Sequence, residues 1–451
     1  MKQTPRSLAV DLLDRIDRTG AFAEPLLNAC LDDSLLNTQD RHLLTSLVYG
    51  TLRMRGHLDW LIQKLYKGNF SFMQEGIRNI LRTALYQFLF MDRIPIFALV
   101  DEAVELTKLR YPGREKLVNA LLRNAVRKTK SEDLAYPDLY KNPVEHLSIV
   151  HSHPSWLVRR WLNIYGMERT LSLCKANNKV PPVTIRVNLL RTTRSALKEL
   201  LEHDGFAVSE CVFSPDGLLV TAQPRSLRST NAIEQGLFIL QDEASQLISH
   251  LVAPAEGEKV LDLCCGSGVK TTHLAALMNN KGLIRAVDIY QAKLESLNRL
   301  SAKMGISIIK TLQADASTKQ NEGLLDNFDC VLVDAPCSGL GTLRRNPEIK
   351  WRLQQRELPS YKRIQELILN RAAALLRHGG RLVYSTCTLL PEENDLLIRN
   401  FLSGHRDFSQ VTSHNTKAIA SVCIDEDGFF RTAPDQHGGM DGFFAAVLIK
   451  D

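Results

Sequence analysis

The sequence predicts a multidomain protein: an all-α helical bundle, then a small α+β module, then a Rossmann-like α/β domain. Three observations carry this. Apolar residues recur at the helical period over roughly the first 130 positions; short alternating segments follow Pro181-Pro182; and from about residue 236 strand and helix patterns alternate to the end. A chain of 451 residues is also longer than one typical domain. The expected boundaries are 1–130 for the bundle, 131–170 for a linker with connecting helices, 171–235 for the α+β module and 236–451 for the α/β domain.

In the first region Leu8, Leu12 and Ile16, flanked by Ala9 and Leu13, form one apolar stripe. Thr38 is read as the N-cap of a helix burying Leu43, Leu44, Leu47 and Val48. Ile77, Ile80, Leu81, Ala84, Leu85 and Phe88 make a stripe that fits no strand, and further helices follow Pro95 and Gly113. Five or more amphipathic helices joined by short loops imply a compact bundle. The last of them carries Arg114, Lys116, Arg123, Arg127, Lys128 and Lys130, a basic face that is either solvated surface or a set of phosphate contacts.

Pattern is lost around Asp133-Leu134-Ala135-Tyr136-Pro137 and Lys141-Asn142-Pro143, as in a linker. A helix starting near Ser155 carries Trp156, Leu157 and Trp161. Val183 to Val187 alternates as a strand, a helix spans Ser195 to His203, and Phe206 to Val208 and Leu218 to Val220 are short strands. In the last region the expected strands are Lys259 to Leu263, Leu283 to Asp288, Ser307 to Leu312, Cys330 to Val333, Arg381 to Tyr384 and Phe443 to Ile449. Interleaved with helices, they build a mainly parallel sheet covered on both faces.

Composition excludes some classes. Hydrophobic residues at 44% and charged ones at 24% describe a globular chain, and the net charge of +6 is mildly basic. The start, Met1-Lys2-Gln3-Thr4-Pro5, leads into a mixed-charge helix rather than an apolar signal segment, and no apolar run is long enough to span a bilayer. Nine cysteines without a Cys-x-x-Cys pair argue for reduced thiols and against a structural zinc site. A cytoplasmic monomer, with no metal and no membrane partner, is the expectation.

The loop Cys264-Cys265-Gly266-Ser267-Gly268 joins the first strand of the last region to a helix, where glycines let the backbone approach a ligand at the helix's positive end. Asp288 ends the next strand and can accept hydrogen bonds from ribose hydroxyls. That pair does not separate a nicotinamide cofactor from S-adenosylmethionine. Asp315 and Asp334 end the following two strands, and three carboxylates on one sheet edge favour a binding crevice.

On the same edge, Asp334-Ala335-Pro336-Cys337-Ser338-Gly339 and Ser385-Thr386-Cys387-Thr388 place two cysteines in polar turns just past apolar strands. Free cysteines are most often inert core residues; this placement argues for chemistry. Methylating carbon 5 of a pyrimidine needs one thiolate, one acid and a second proton-handling group. A thiolate added to carbon 6 makes carbon 5 nucleophilic; afterwards a base removes the carbon 5 proton and the thiol departs. An acid such as Asp334 can bond the base edge.

The stretches Asp334 to Trp351 and Tyr384 to Asn394 resemble the two cysteine motifs of RNA cytosine-carbon-5 methyltransferases, and Gln241-Asp242-Glu243-Ala244-Ser245 resembles the segment before their cofactor domain. The N-terminal region is similar to the NusB-like RNA-binding domain of the RsmB (Sun, Fmu) branch, which acts on 16S ribosomal RNA. The resemblance covers nearly the whole chain. It implies a class I S-adenosylmethionine-dependent methyltransferase domain preceded by an RRM-like or ferredoxin-like module. It further implies that Cys387 is the nucleophile, that Cys337 assists product release, and that Asp288, Asp315 and Asp334 face the cofactor, with Asp334 also near the target base. Lys270 matches a motif lysine, so the cofactor loop comprises Cys264, Cys265, Gly266, Ser267, Gly268, Val269 and Lys270. Where the family usually has Ala-Pro-Gly-Gly-Lys after the first loop cysteine, this chain has Cys265-Gly266-Ser267-Gly268-Val269-Lys270, which changes the backbone contacts open to the cofactor.

Arg344, Arg345, Lys350 and Trp351 offer phosphate contacts and a stacking surface for RNA, either free or in an early assembly intermediate. The target base must be unstacked to reach Cys387. Three rivals stand beside this reading: a DNA cytosine methyltransferase, whose nucleophile would be the Pro-Cys thiol; a catalytically silent RNA-binding factor; and the same chemistry on transfer RNA.

Overall fold

The computed structural model describes residues 4–92, 94–131, 134–223, 226–318, 327–412 and 421–451. Met1, Lys2, Gln3, Asp133 and the side chain of Lys130 lie outside the described residues. The chain divides into two compact units, one of Met1–Val180 with Leu343–Gln355, the other of Pro181–Thr342 with Arg356–Asp451.

The first unit is helical. Helices Pro5–Thr19, Ala23–Asp33, Thr38–Leu65, Glu75–Phe90, Ile96–Arg110 and Glu115–Lys130 form the bundle, followed by Pro143–Val150 and Ser155–Asn177. Most of the expected stripe residues are buried, among them Leu8, Leu12, Ile16, Leu44, Leu47, Val48, Ile77, Ile80, Leu81, Ala84 and Leu85, while Leu43 and Phe88 are half-buried. On Glu115–Lys130 the buried face leaves Arg114, Lys116, Arg123 and Arg127 exposed and Lys128 half-buried. Thr38 is not a cap. Asn37 holds that position, its side chain accepting from Asp40 N, and Thr38 is the first helical residue. The segment Leu343–Gln355, although distant in sequence, packs within this unit: Ala23 N donates to Glu348 Oε1 at 3.0 Å.

The second unit holds two sheets. Strands β1 (Val183–Val187), β2 (Ala207–Glu210), β3 (Gly217–Ala222) and β4 (Phe238–Leu240) form an antiparallel sheet in the order β2-β3-β1-β4. Pairing of β4 with β1 carries the small module past residue 235. The larger sheet contains β5 (Lys259–Asp262), β6 (Leu283–Asp288), β7 (Ile309–Gln313), β8 (Phe328–Asp334), β9 (Leu376–Thr386), β10 (Phe408–Gln410), β11 (Phe430–Arg431) and β12 (Phe444–Lys450). Its order is β10-β12-β9-β8-β5-β6-β7, with β11 paired to β12. Strands β5 to β9 run parallel where they pair and β12 is antiparallel to β9. Successive residues of β8 feed opposite faces: Val331 and Val333 enter one apolar cluster, Cys330 and Leu332 the other. Both faces are therefore buried, as the apolar runs required.

This topology places the site. The chain runs outward from β5 to β6 and β7, then returns to β8 on the other side of β5. Strand order reverses between β5 and β8, and the crevice beyond their carboxyl ends is where such sheets bind ligands.

Candidate active site

The loop after β5 turns at Gly266 (φ 57°) and Gly268 (φ 88°), left-handed conformations that favour glycine. Gly268 is also sterically required, because a Cβ there would lie 2.1 Å from Leu297 Cδ1. The loop is pinned to β6, with Gly266 N donating to Asp288 Oδ2 at 3.0 Å and Cys265 N to Val287 O at 2.9 Å. Asp288 Oδ1 accepts from Tyr290 N at 2.9 Å, and half-buried Asp315, just past β7, accepts from Ser317 N at 2.9 Å. Burial, reinforced by nearby carboxylates, pushes the Cys264 and Cys265 thiols up, so both stay protonated and inert.

One acid was overlooked because it lies inside an apolar strand. Asp262 ends β5 with 1% exposure; its Oδ2 accepts from Thr271 Oγ1 at 2.7 Å, while Oδ1 is buried without a hydrogen-bond partner. Burial pushes its carboxyl up to about 7. An unmet oxygen beside a glycine loop suits a cationic donor on a ligand.

Across the switch point, Asp334 ends β8. Lys270 Nζ donates to its Oδ2 at 2.7 Å and Ser385 Oγ to its Oδ1 at 3.0 Å. The Lys270 ammonium also lies 5.0 Å from the centre of the Phe443 ring. Burial works against the charge on Lys270, yet Asp334 and the neighbouring Cys387 outweigh it, so the ammonium is raised above its ordinary value and stays protonated.

The two motif cysteines meet: Cys337 Sγ and Cys387 Sγ are 3.3 Å apart, and both are half-buried. The Cys337 thiol is pushed well up, first by its hydrogen bond to Cys387, then by burial and by the Cys387 and Glu393 charges. Cys337 therefore keeps its proton. The Cys387 loop is held from outside as well, since Gly341 N donates to Cys387 O at 2.9 Å and Gly442 N to Gly341 O at 2.9 Å.

The small module reaches this site through Arg186. Although it carries a charge in a strand of alternating pattern, Arg186 is 0% exposed. Its guanidinium donates to Gln241 Oε1, to Val269 O at 2.6 Å and to Thr272 Oγ1 at 3.0 Å, bracing the first turn of the helix after the glycine loop. In the Gln241-to-Ser245 motif, Asp242 caps its helix and Glu243 Oε1 accepts from Ser214 N at 2.8 Å. Asp216, His250 and His273 form a second tie, with Asp216 Oδ2 2.9 Å and 2.8 Å from the two Nε2 atoms. Nδ1 of His273 is buried without a partner, which places the ring proton on Nε2 and makes that nitrogen a donor to Asp216.

The expected RNA contacts divide. Lys350 is 1% exposed, and its Nζ donates to Arg53 O at 3.3 Å, Ser152 O at 3.1 Å and Asn178 Oδ1 at 2.8 Å. Arg344 is 3% exposed. Burial leaves little of either side chain open to a phosphate, and the Lys350 donors are taken up within the helical unit. Trp351 is likewise engaged there, its Nε1 donating to Leu52 O at 2.6 Å, and Arg345 is half-buried.

Three family models match the chain: "16S rRNA methyltransferase RsmB/F" over residues 249–449, "NusB family" over 3–127 and "Methyltr_RsmF/B-like, ferredoxin-like domain" over 153–226. The chain is 33% identical over 453 residues to the "Probable ribosomal RNA small subunit methyltransferase B" of Bacillus subtilis (strain 168), covering 100% of both. It is 34% identical over 430 residues to the "Ribosomal RNA small subunit methyltransferase B" of Pseudomonas syringae pv. tomato, covering 94% of this chain and 93% of that one. Its fold matches the crystal structure of PH0851 with a TM-score of 0.84 and 30% identity over 100% of both chains. The methyl donor is S-adenosylmethionine, and the residues present fit it: Asp262 has a carboxylate oxygen without a partner beside the glycine loop, and Asp288 ends the next strand as an acceptor. The helical bundle, the ferredoxin-like module and the sheet with paired cysteines thus carry one identity, and the chain belongs to the ribosomal RNA small subunit methyltransferase B family.

Proposed function

We propose that this enzyme methylates carbon 5 of a cytosine in 16S ribosomal RNA, with Cys387 adding covalently to carbon 6. The observation that supports this best is the 3.3 Å approach of the Cys337 and Cys387 sulfurs beside the Lys270–Asp334 pair. A single nucleophile needs no second thiol at contact distance. A nucleophile whose adduct must later be released gains from one.

The Lys270 ammonium, paired with Asp334, places a positive charge in the site with Cys387. Addition of the Cys387 thiolate to carbon 6 pushes electron density to carbon 5. Bound S-adenosylmethionine supplies an electrophilic methyl group to that carbon. Loss of the carbon 5 proton to a base then expels the thiolate and restores the aromatic ring. Asp334, fixed by Lys270 and Ser385, is held to bond the edge of the base. Cys337, kept as a thiol, stands where the departing sulfur needs a proton.

Cys387→Ser abolishes methylation and the enzyme–RNA adduct, whereas Cys337→Ser lets the adduct accumulate on a denaturing gel. An adduct that survives Cys387→Ser and vanishes with Cys337→Ser reverses the roles and favours the chemistry of the DNA enzymes. Mass-spectrometric mapping of methylated cytosine in ribosomal and transfer RNA from cells lacking the protein assigns the substrate.

A further inference from the structure

Glu393 is the group that the chemistry above leaves unused. It closes the short helical turn Pro391–Glu393 and is 0% exposed. Its Oε2 accepts from Ser338 N and from Gln365 Nε2, each at 2.9 Å. Its Oε1 accepts from the Ser338 hydroxyl and, at 3.3 Å, from Thr388 Oγ1. The two hydroxyls lie 2.8 Å apart, and Gln365 Nε2 also donates to Pro336 O at 3.0 Å.

Ser338 follows Cys337 directly, and Thr388 follows Cys387 directly. One buried carboxylate therefore grips the residue after each cysteine. The main chain of Glu393 is fixed as well, because its carbonyl accepts from the Tyr384 hydroxyl at 2.8 Å. Next to it, Asn394 Nδ2 donates to Thr388 O at 2.9 Å and Asn394 Oδ1 accepts from Thr386 Oγ1 at 2.6 Å. Burying a carboxylate is expensive, and four donors converging on one offset that cost only if all four stay in place. The arrangement is consequently stiff, and its stiffness is passed to the two loops that carry the paired cysteines.

We infer that Glu393 is a positioning residue: it sets the separation of the Cys337 and Cys387 sulfurs, and so the rate of the covalent steps, without touching cofactor or RNA. The inference rests on the covalent role proposed for Cys387. Reacting groups misplaced by about 1 Å lose on the order of 100-fold in rate, while binding made elsewhere is unaffected. The expected signature is a loss confined to kcat.

The test is Glu393→Gln in the full-length protein. The variant keeps size and one acceptor, and the Ser338 and Thr388 hydroxyls can reverse to accept from the new amide, so the fold survives while the geometry loosens. With S-adenosylmethionine and 16S ribosomal RNA, kcat falls by at least about tenfold and both KM values stay within about twofold. The rate of adduct formation on RNA containing 5-fluorocytosine, which cannot lose a proton from carbon 5, falls in parallel. Ser338→Ala, which removes the hydroxyl shared by both loops, gives the same pattern and decides the matter if Glu393→Gln does not fold. An unchanged kcat, or losses that only track the amount of folded protein, overturns the inference. Cys387→Ser separates the two levels: an adduct persisting there refutes the nucleophile, whereas no adduct there with full-rate Glu393→Gln refutes positioning alone.

Discussion

Gly341→Ala is the most direct perturbation of the distance between the cysteine loops. Gly341 donates to the carbonyl of Cys387 and accepts from Gly442, so three backbone segments meet with no side chain between them. A Cβ at 341 would stand 2.0 Å from Gly442 O, 2.7 Å from Gly442 C and 2.9 Å from Cys387 O. Cβ atoms essentially never approach closer than 3.0 Å, so Gly442 must give way by about 1 Å and the Cys387 carbonyl by about 0.1 Å, and none of the three contacts is a flexible side-chain end. Overpacking of this kind costs about 1–3 kcal/mol. For a domain of this size each kcal/mol lowers Tm by about 2–4 °C. The variant is therefore folded and measurably less stable. With Cys387 as the proposed nucleophile its chemistry suffers too, where the Cys387 carbonyl, bonded to Gly341 N, follows the displaced glycine: a shift of about 1 Å costs on the order of 100-fold in kcat. Steady-state methylation of 16S ribosomal RNA, with Tm measured on the same preparation, reads both quantities. A folded variant with kcat within twofold of wild type would show that the sulfur position is not set by this backbone contact, and the reasoning fails.

Two further outcomes follow from the same geometry. Burial raises the Asp262 carboxyl to about 7 against an ordinary value of 3.8, so between about pH 4 and 7 the folded enzyme holds a proton that the unfolded chain has lost. Cofactor-free stability consequently falls as pH rises through that window. Asp262→Asn flattens the slope and raises Tm at pH 7.5 while weakening S-adenosylmethionine binding; parallel wild-type and variant melting curves from pH 4.5 to 8 would refute the assignment. Lys350→Met leaves three acceptors without their donor and costs about 1–3 kcal/mol for each one left dry. Because Lys350 is buried, the salt dependence of RNA binding keeps its slope, and a slope shallower by about 0.9 would restore Lys350 as a phosphate contact.

Much of the scaffold was legible. Strands expected at Val183 to Val187 and Leu283 to Asp288 occur with those bounds, because alternation and apolar runs report local backbone geometry directly. Other elements carried too little signal. Strand β4 has three residues and is recognisable only through its pairing with β1, more than 50 positions earlier. Asn37 rather than Thr38 caps its helix because adjacent polar residues compete for one site, and the winner is the side chain that reaches Asp40 N. Arg186 was taken as an ordinary strand residue, and the helices covering its face come from sequence some 60 to 90 positions away.

The charged residues make the same point more sharply. Lys350, in a basic run after a catalytic motif, has the sequence profile of a phosphate contact, yet its ammonium lies inside the helical unit. Glu393, within a stretch already marked by the cysteine motifs, carried no hint that it would bond both loops. By itself the chain determined which reactive groups exist and on which sheet edge they stand, since strand period and turn residues dictate both. Only the tertiary structure decided that two sulfurs 50 residues apart come within 3.3 Å, and which charged side chains are buried. Contact distance and burial depend on segments remote in sequence packing together, and no local pattern records that outcome.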